Sequence, residues 1–138
     1  MHKFLVKPVW LMTKRREFKE IRLMDKENMN GVNLNHYIAN LTEPWQPITV
    51  AKYNGNDVMV AHGSGAYDWH VHDNSDDLFL VLQGEVVLEM RDKSVTLKAG
   101  EMFVVPQGVE HRPRASADAY FVLIERNEIN TSAVLPPR

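Results

Sequence analysis

The residues with chemistry in them are Trp69-His70-Val71-His72, followed closely by Asp76-Asp77. Two histidines one residue apart, set among strand-forming neighbours, project from the same face of a β-strand. Their Cα atoms then lie roughly 6–7 Å apart, a spacing that suits chelation of a single metal ion. A carboxylate follows at Asp77, and His111 supplies a third candidate imidazole further along. An H-x-H pair alone is weak evidence, so the elements that would position it decide its meaning.

At 138 residues the chain is of a size for one domain with a real hydrophobic core. Its formal net charge of -2 speaks against nucleic acid or a membrane as the main partner. The charge is uneven: residues 1–28 hold eight of the sixteen Lys and Arg against four acidic side chains, which leaves the remainder net acidic. With no cysteine, disulfides, Cys-zinc sites and thiol nucleophiles are excluded. No stretch reads as a signal peptide or a transmembrane span, and a cytoplasmic location is the expectation.

Residues 1–31 read as an N-terminal arm, with helical composition from Thr13 to Glu27 and an apolar side built on Phe18 and Ile21. Leu34, Ile38 and Leu41 recur at helical spacing behind Asn33, which is placed to cap. Pro44-Trp45-Gln46-Pro47 then forces an extended connection. Beyond Pro47 the pattern is short strands with turn punctuation: residues 48–53 and 58–62 around Asn54-Gly55-Asn56-Asp57, then 67–72, 78–82, 85–91, 95–97, 102–105 and 120–125. Many close-spaced strands with glycine or proline at the turns predict an all-β sandwich or barrel. Residues 132–138 show no pattern and read as a tail.

Two stretches together carry a family resemblance. Gly63 or Gly65, His70-Val71-His72, Asp77 and Gly84 resemble the first cupin motif, and Gly100 with Pro106-Gln107-Gly108-Val109-Glu110-His111 resembles the second. The chain is therefore similar to small single-domain cupins, within about residues 32–131. It further resembles short bacterial cupins labelled mannose-6-phosphate isomerase-like. The resemblance implies an all-β, RmlC-like jelly roll (a double-stranded β-helix) and a metal site of His70, His72, Asp77 and His111. Asp77 stands where the motif usually has Glu, shortening that arm by one methylene, and Ala115 stands where an Asn often closes the second motif.

Three imidazoles and a carboxylate suit one divalent ion of Fe, Mn, Ni, Zn or Cu. Ligands drawn from separate strands leave open coordination positions, which makes such centres catalytic as a class. Strand parity favours Asp77 over Asp76: if Phe79 and Val81 face the interior, so does Asp77. Of the other candidates, His62 could line the pocket, and Arg112 and Arg114 could meet an anionic substrate. His36 and His2 read as structural or surface residues. Tyr67, Trp69, Phe79, Met90, Phe103 and Phe121 read as core, with one or two at the cavity. The functional expectation is a metal-dependent isomerase, lyase or dioxygenase acting on a small polar molecule; the alternative is a non-catalytic binding or sensing domain. The apolar run Leu78 to Leu82 offers both faces for burial, and with the resemblance this gives a homodimer as the expected assembly.

Overall fold

The structure, a computed structural model, describes residues 30–136. The helical arm expected within residues 1–28 therefore lies outside the described residues. One short helix, α1 (Leu34–Asn40), opens the described part, and the side chain of Asn33 caps it by accepting from the His36 N–H at 3.3 Å. Such a cap contributes about 1 kcal/mol. Ile38 and Leu41 bury the apolar side of this turn against Val60, Val50, Leu82 and Tyr120.

Nine strands follow: β1 (Ile48–Tyr53), β2 (Asn56–Ala66), β3 (His70–His72), β4 (Asp77–Gln83), β5 (Glu85–Met90), β6 (Ser94–Lys98), β7 (Met102–Val105), β8 (His111–Arg126) and β9 (Thr131–Ala133). They form one curled, antiparallel all-β sheet, as the strand pattern predicts. The spine is β8. Its first residues pair with β5 and β3, β2 pairs with it from Arg114 to Arg126, and β4 pairs with it from Tyr120 to Ile124. The predicted strand over 120–125 is thus the second part of a sixteen-residue strand that begins at His111.

Period-two alternation places the core. Along β4, Asp77, Phe79 and Val81 are buried while Leu78, Leu80 and Leu82 are half-buried on the other face. Phe79 and Val81 meet Val86, Leu88, Leu97, Val105, Ala119 and Phe121 inside the curl. Burial of each large side chain contributes roughly 1.5–3 kcal/mol.

Three departures from the predicted elements bear on the site. The glycine stretch Gly63-Ser64-Gly65 does not end β2; the pairing with β8 shifts register there and continues to Ala66. At Gly63 an added Cβ would stand 3.0 Å from the Trp45 ring and 3.3 Å from Phe121, so only a residue without a side chain lets Trp45 lie over the strand. The H-x-H strand is only three residues long. The supposed tail contributes β9, which pairs with β3 at the sheet edge, because backbone pairing needs no apolar pattern in the sequence.

Candidate metal centre

Four side chains from three strands converge: His70 and His72 on β3, Asp77 at the start of β4 and His111 at the start of β8. Each offers one ligand atom, and these atoms all lie within 4.8 Å of one another. All four residues are buried. The pairing of His70 with His111 across β3 and β8 brings the two sequence motifs together.

Each imidazole is held by its Nδ1. His70 Nδ1 donates to the Asp68 carbonyl at 2.8 Å, and His111 Nδ1 to the Val109 carbonyl at 2.8 Å. Carbonyls only accept, so these bonds keep a proton on Nδ1 and, in the neutral ring, leave Nε2 as a lone pair. His72 Nδ1 instead meets the Thr131 hydroxyl at 2.9 Å. Asp77 Oδ2 lies 3.1 Å from His72 Nε2 and 3.3 Å from His111 Nε2. Its other oxygen, Oδ1, is buried and has no hydrogen-bond partner among the described residues.

The donor set fits a cation. With its Nδ1 proton given to Val109, His111 can bond Asp77 Oδ2 through Nε2 only if a second proton or a cation lies between the two atoms. Asp77 Oδ1, without a partner among the described residues, adds a further acceptor.

The surroundings tune the same groups. Burial pushes His70 down to about 4, against a partly offsetting bond to Asp68, which keeps the imidazole neutral at pH 7. For His72, burial also opposes the charged form, but the hydrogen bond and charge of Asp77, helped by Glu125 and Asp73, raise it above its ordinary value. Burial would raise Asp77, yet hydrogen bonds from His111 and His72 hold it below the usual carboxylate range.

Beside the four residues lies a cavity of about 150 Å³. Trp45, Tyr67, Phe79, Phe121 and Leu123 give it mainly apolar walls, and Glu125 and Thr131 add polar groups next to His72. The Glu125 carboxylate is 3.7 Å from His72 Nε2. Burial, then the charge of Asp77, pushes it up to about 7.

Sequence reasoning singled out neither Glu125 nor Thr131. Glu125 carried a signal, since it shares the strand parity of the inward-facing Phe121 and Leu123. Thr131 carried none, because its place depends on β9 pairing with a strand 59 residues earlier.

Other candidates fall elsewhere. His62 is buried but does not line the cavity; its Nε2 meets Asp118 at 2.8 Å and its ring stacks on Tyr120 with centroids 5.0 Å apart. Arg112 and Arg114 face Glu89 rather than the cavity, because an outward strand position puts them on its carboxylate. The Arg112 and Arg114 hydrogen bonds hold Glu89 below its ordinary value. Arg112 also lies over Trp69 with Arg91. His36 is exposed in the first turn of α1, and His2 lies outside the described residues. Phe79 and Phe121 belong to both core and cavity, and Tyr67 is exposed at its mouth.

A family model described as a cupin domain matches residues 56–125. An uncharacterised protein of Bacillus subtilis, YdbB, is 34% identical over 96 residues, covering 68% of this chain and 85% of that protein. The 3-hydroxyanthranilate 3,4-dioxygenase of Xanthomonas euvesicatoria is 33% identical over 76 residues, or 52% of this chain and 43% of the enzyme. The chain thus spans less than half the length of that relative. Among solved structures, a cupin-2 domain protein of Shewanella frigidimarina superposes with a TM-score of 0.68 at 33% identity, covering 70% of this chain and 94% of its own. Among the described residues no helix is long and apolar enough to cross a membrane.

Proposed function

The chain belongs to the cupin family, and on that premise we propose that it is a metal-dependent enzyme whose His70, His72, His111 and Asp77 hold one divalent transition ion. The convergence of four buried ligand atoms within 4.8 Å of one another is the observation that carries this reading. Such an ion, when bound, supplies Lewis acidity and open coordination positions. The donor set suits Fe, Mn, Ni, Zn or Cu. The chain's own residues orient the imidazoles, keep His70 neutral and close the centre in apolar walls.

Of the isomerase, lyase and dioxygenase chemistries open to this centre, dioxygenation has the added support of the related 3-hydroxyanthranilate dioxygenases. The cavity supports a narrower substrate class than a polar small molecule in general. Its volume holds a single-ring molecule, and its walls are aromatic. Among the described residues that line it there is a carboxyl at Glu125 but no Lys or Arg. That charge pattern favours a neutral ring bearing hydroxyl or amino donors over a carboxylate or a sugar phosphate. It therefore weighs against the mannose 6-phosphate chemistry in the label of the resembling subgroup.

Oxygen uptake by protein reconstituted with Fe(II) tests this reading. Uptake is expected with 2-aminophenol or catechol, and much less with 3-hydroxyanthranilate or mannose 6-phosphate. Stoichiometric binding of the ring compounds without turnover would favour a non-catalytic binding domain instead.

The partner proposed with this function is a second copy of the chain. The outer face of β4 and its neighbours sets half-buried Leu78, Leu80 and Ile124 beside exposed Met102 and Val104, an apolar patch of the kind that two subunits cover.

A further inference from the structure

The three histidines of the centre are not supported alike. His70 and His111 each lean on a carbonyl two residues upstream, within their own loop. His72 leans on Thr131, a side chain 59 residues away on an exposed edge strand. A carbonyl fixes the tautomer, because it can only accept. A hydroxyl either donates or accepts, so Thr131 holds the ring in place while permitting both tautomers of His72. With the proton on Nδ1, His72 offers Nε2 as a ligand; with the proton on Nε2, it donates to Asp77 instead.

The strand that carries Thr131 is attached with care. β9 pairs residue for residue with β3: His70 with Ala133, Val71 with Ser132, His72 with Thr131. Beyond the pairing, the Val134 N–H donates to the Trp69 carbonyl at 3.1 Å and Arg91 Nη2 to the Leu135 carbonyl at 2.6 Å. Before it, the Asp73 N–H donates to the Asn130 carbonyl at 3.0 Å, and Asn74 bonds both Glu128 and Asn130. Every one of these bonds lands on β3 or its flanks, apart from the one from Arg91. Even Arg91 lies over Trp69, the residue before His70, at 4.7 Å. The three residues of β9 are all exposed, so the strand has little apolar burial of its own to hold it down.

We propose that Thr131 is a positioning residue for His72, and that docking of the C-terminal strand β9 and retention of the metal ion are thermodynamically coupled through this one hydroxyl. The inference rests on the metal reading given above. Coupling of this kind is reciprocal: whatever the docked strand adds to metal affinity, the bound metal returns as protection of the strand.

The test uses the full chain, purified without a histidine tag, with Zn(II) as the probe. Zinc affinity is measured by competition with a chromophoric chelator for the wild type, T131V and T131S. Valine keeps the shape and deletes the hydroxyl, whereas serine keeps the hydroxyl. T131V is expected to weaken binding about 10–100-fold, the usual effect of losing such an outer partner, and T131S to stay within about 3-fold of wild type. Hydrogen exchange of the wild type provides a second reading, in which zinc should slow exchange at residues 131–134. In the metal-free protein, imidazole 15N shifts should move for His72 in T131V while those of His70 and His111 stay put. Equal affinity of T131V and wild type would overturn the inference while leaving the metal reading intact, and so would equal losses in T131V and T131S. Wild-type protein that takes up no zinc or other transition ion would overturn the metal reading and this inference with it. If T131V does not fold, the exchange data on the wild type decide: unchanged rates at 131–134 on zinc addition contradict the coupling.

Discussion

With its Nδ1 proton committed to Val109, His111 meets Asp77 Oδ2 through Nε2, and the same carboxylate oxygen also faces His72. In the metal-free protein His70 and Glu125 are shifted in opposite directions, which makes stability depend on pH in a specific way. His70 titrates near 4 in the folded chain against 6.5 ordinarily, so between those values the unfolded chain binds more protons and stability rises with pH. Glu125 titrates near 7 against 4.5, so between those values the folded chain binds more protons and stability falls with pH. The two slopes oppose each other over pH 4.5–6.5. Chelator-treated wild type is therefore expected to show a nearly flat denaturation profile there. Glu125→Gln should unmask a rise of about 1–3 kcal/mol across the same range. Identical pH profiles for the two proteins would contradict the assignment of Glu125. At this scale the sequence was legible where the converging side chains sit in short motifs, as with His70, His72, Asp77 and His111. It was illegible for Thr131, whose role arises from strand pairing across 59 residues.

The elements place those residues by register. β3 has only three residues, yet it is held between β8 and β9, and its pairing with β8 sets His70 opposite His111. β4 puts Asp77 on the inner face by the same alternation that buries Phe79 and Val81. Most of this was readable: turn glycines, the Asn54–Asp57 hairpin and the capped helix α1 all appear where the pattern puts them. The long strand β8 was not, since residues 116–118 fall in a register shift, and the chain is joined across them by its pairing with β2 on either side. Nor does a glycine pair announce a bulge rather than a strand end. Gly63 tests that arrangement. Gly63→Ala forces a Cβ to 3.0 Å from Trp45, whose indole N–H is tied to the Ser64 carbonyl at 2.9 Å and so cannot move freely. A loss of about 1–3 kcal/mol in chemical denaturation is expected, as for other overpacked sites. A change within about 0.5 kcal/mol, the range of ordinary surface substitutions, would contradict the close packing of Trp45 on β2.

For the molecule as a whole, the apolar outer face and the buried centre make separate demands. If Leu78, Leu80, Met102 and Val104 meet a second copy, light scattering on a sizing column should return twice the chain mass. Val104→Lys should then give the single-chain mass without loss of metal. A wild type of single-chain mass would contradict the dimer and leave the centre untouched. The family and fold were legible because two motifs and a strand rhythm repeat a known plan. The substrate was not, because a cavity wall is assembled from Trp45, Tyr67, Phe121, Leu123 and Glu125, residues scattered over eighty positions that no local pattern groups together. The most direct test of the central claim is metal content by elemental analysis of tag-free protein, as purified and after reconstitution, for wild type, His72→Ala and His36→Ala. Close to one transition-metal ion per chain is expected in the wild type and in His36→Ala, and essentially none in His72→Ala. A wild type that holds no transition metal after reconstitution, or equal retention in all three proteins, would contradict it.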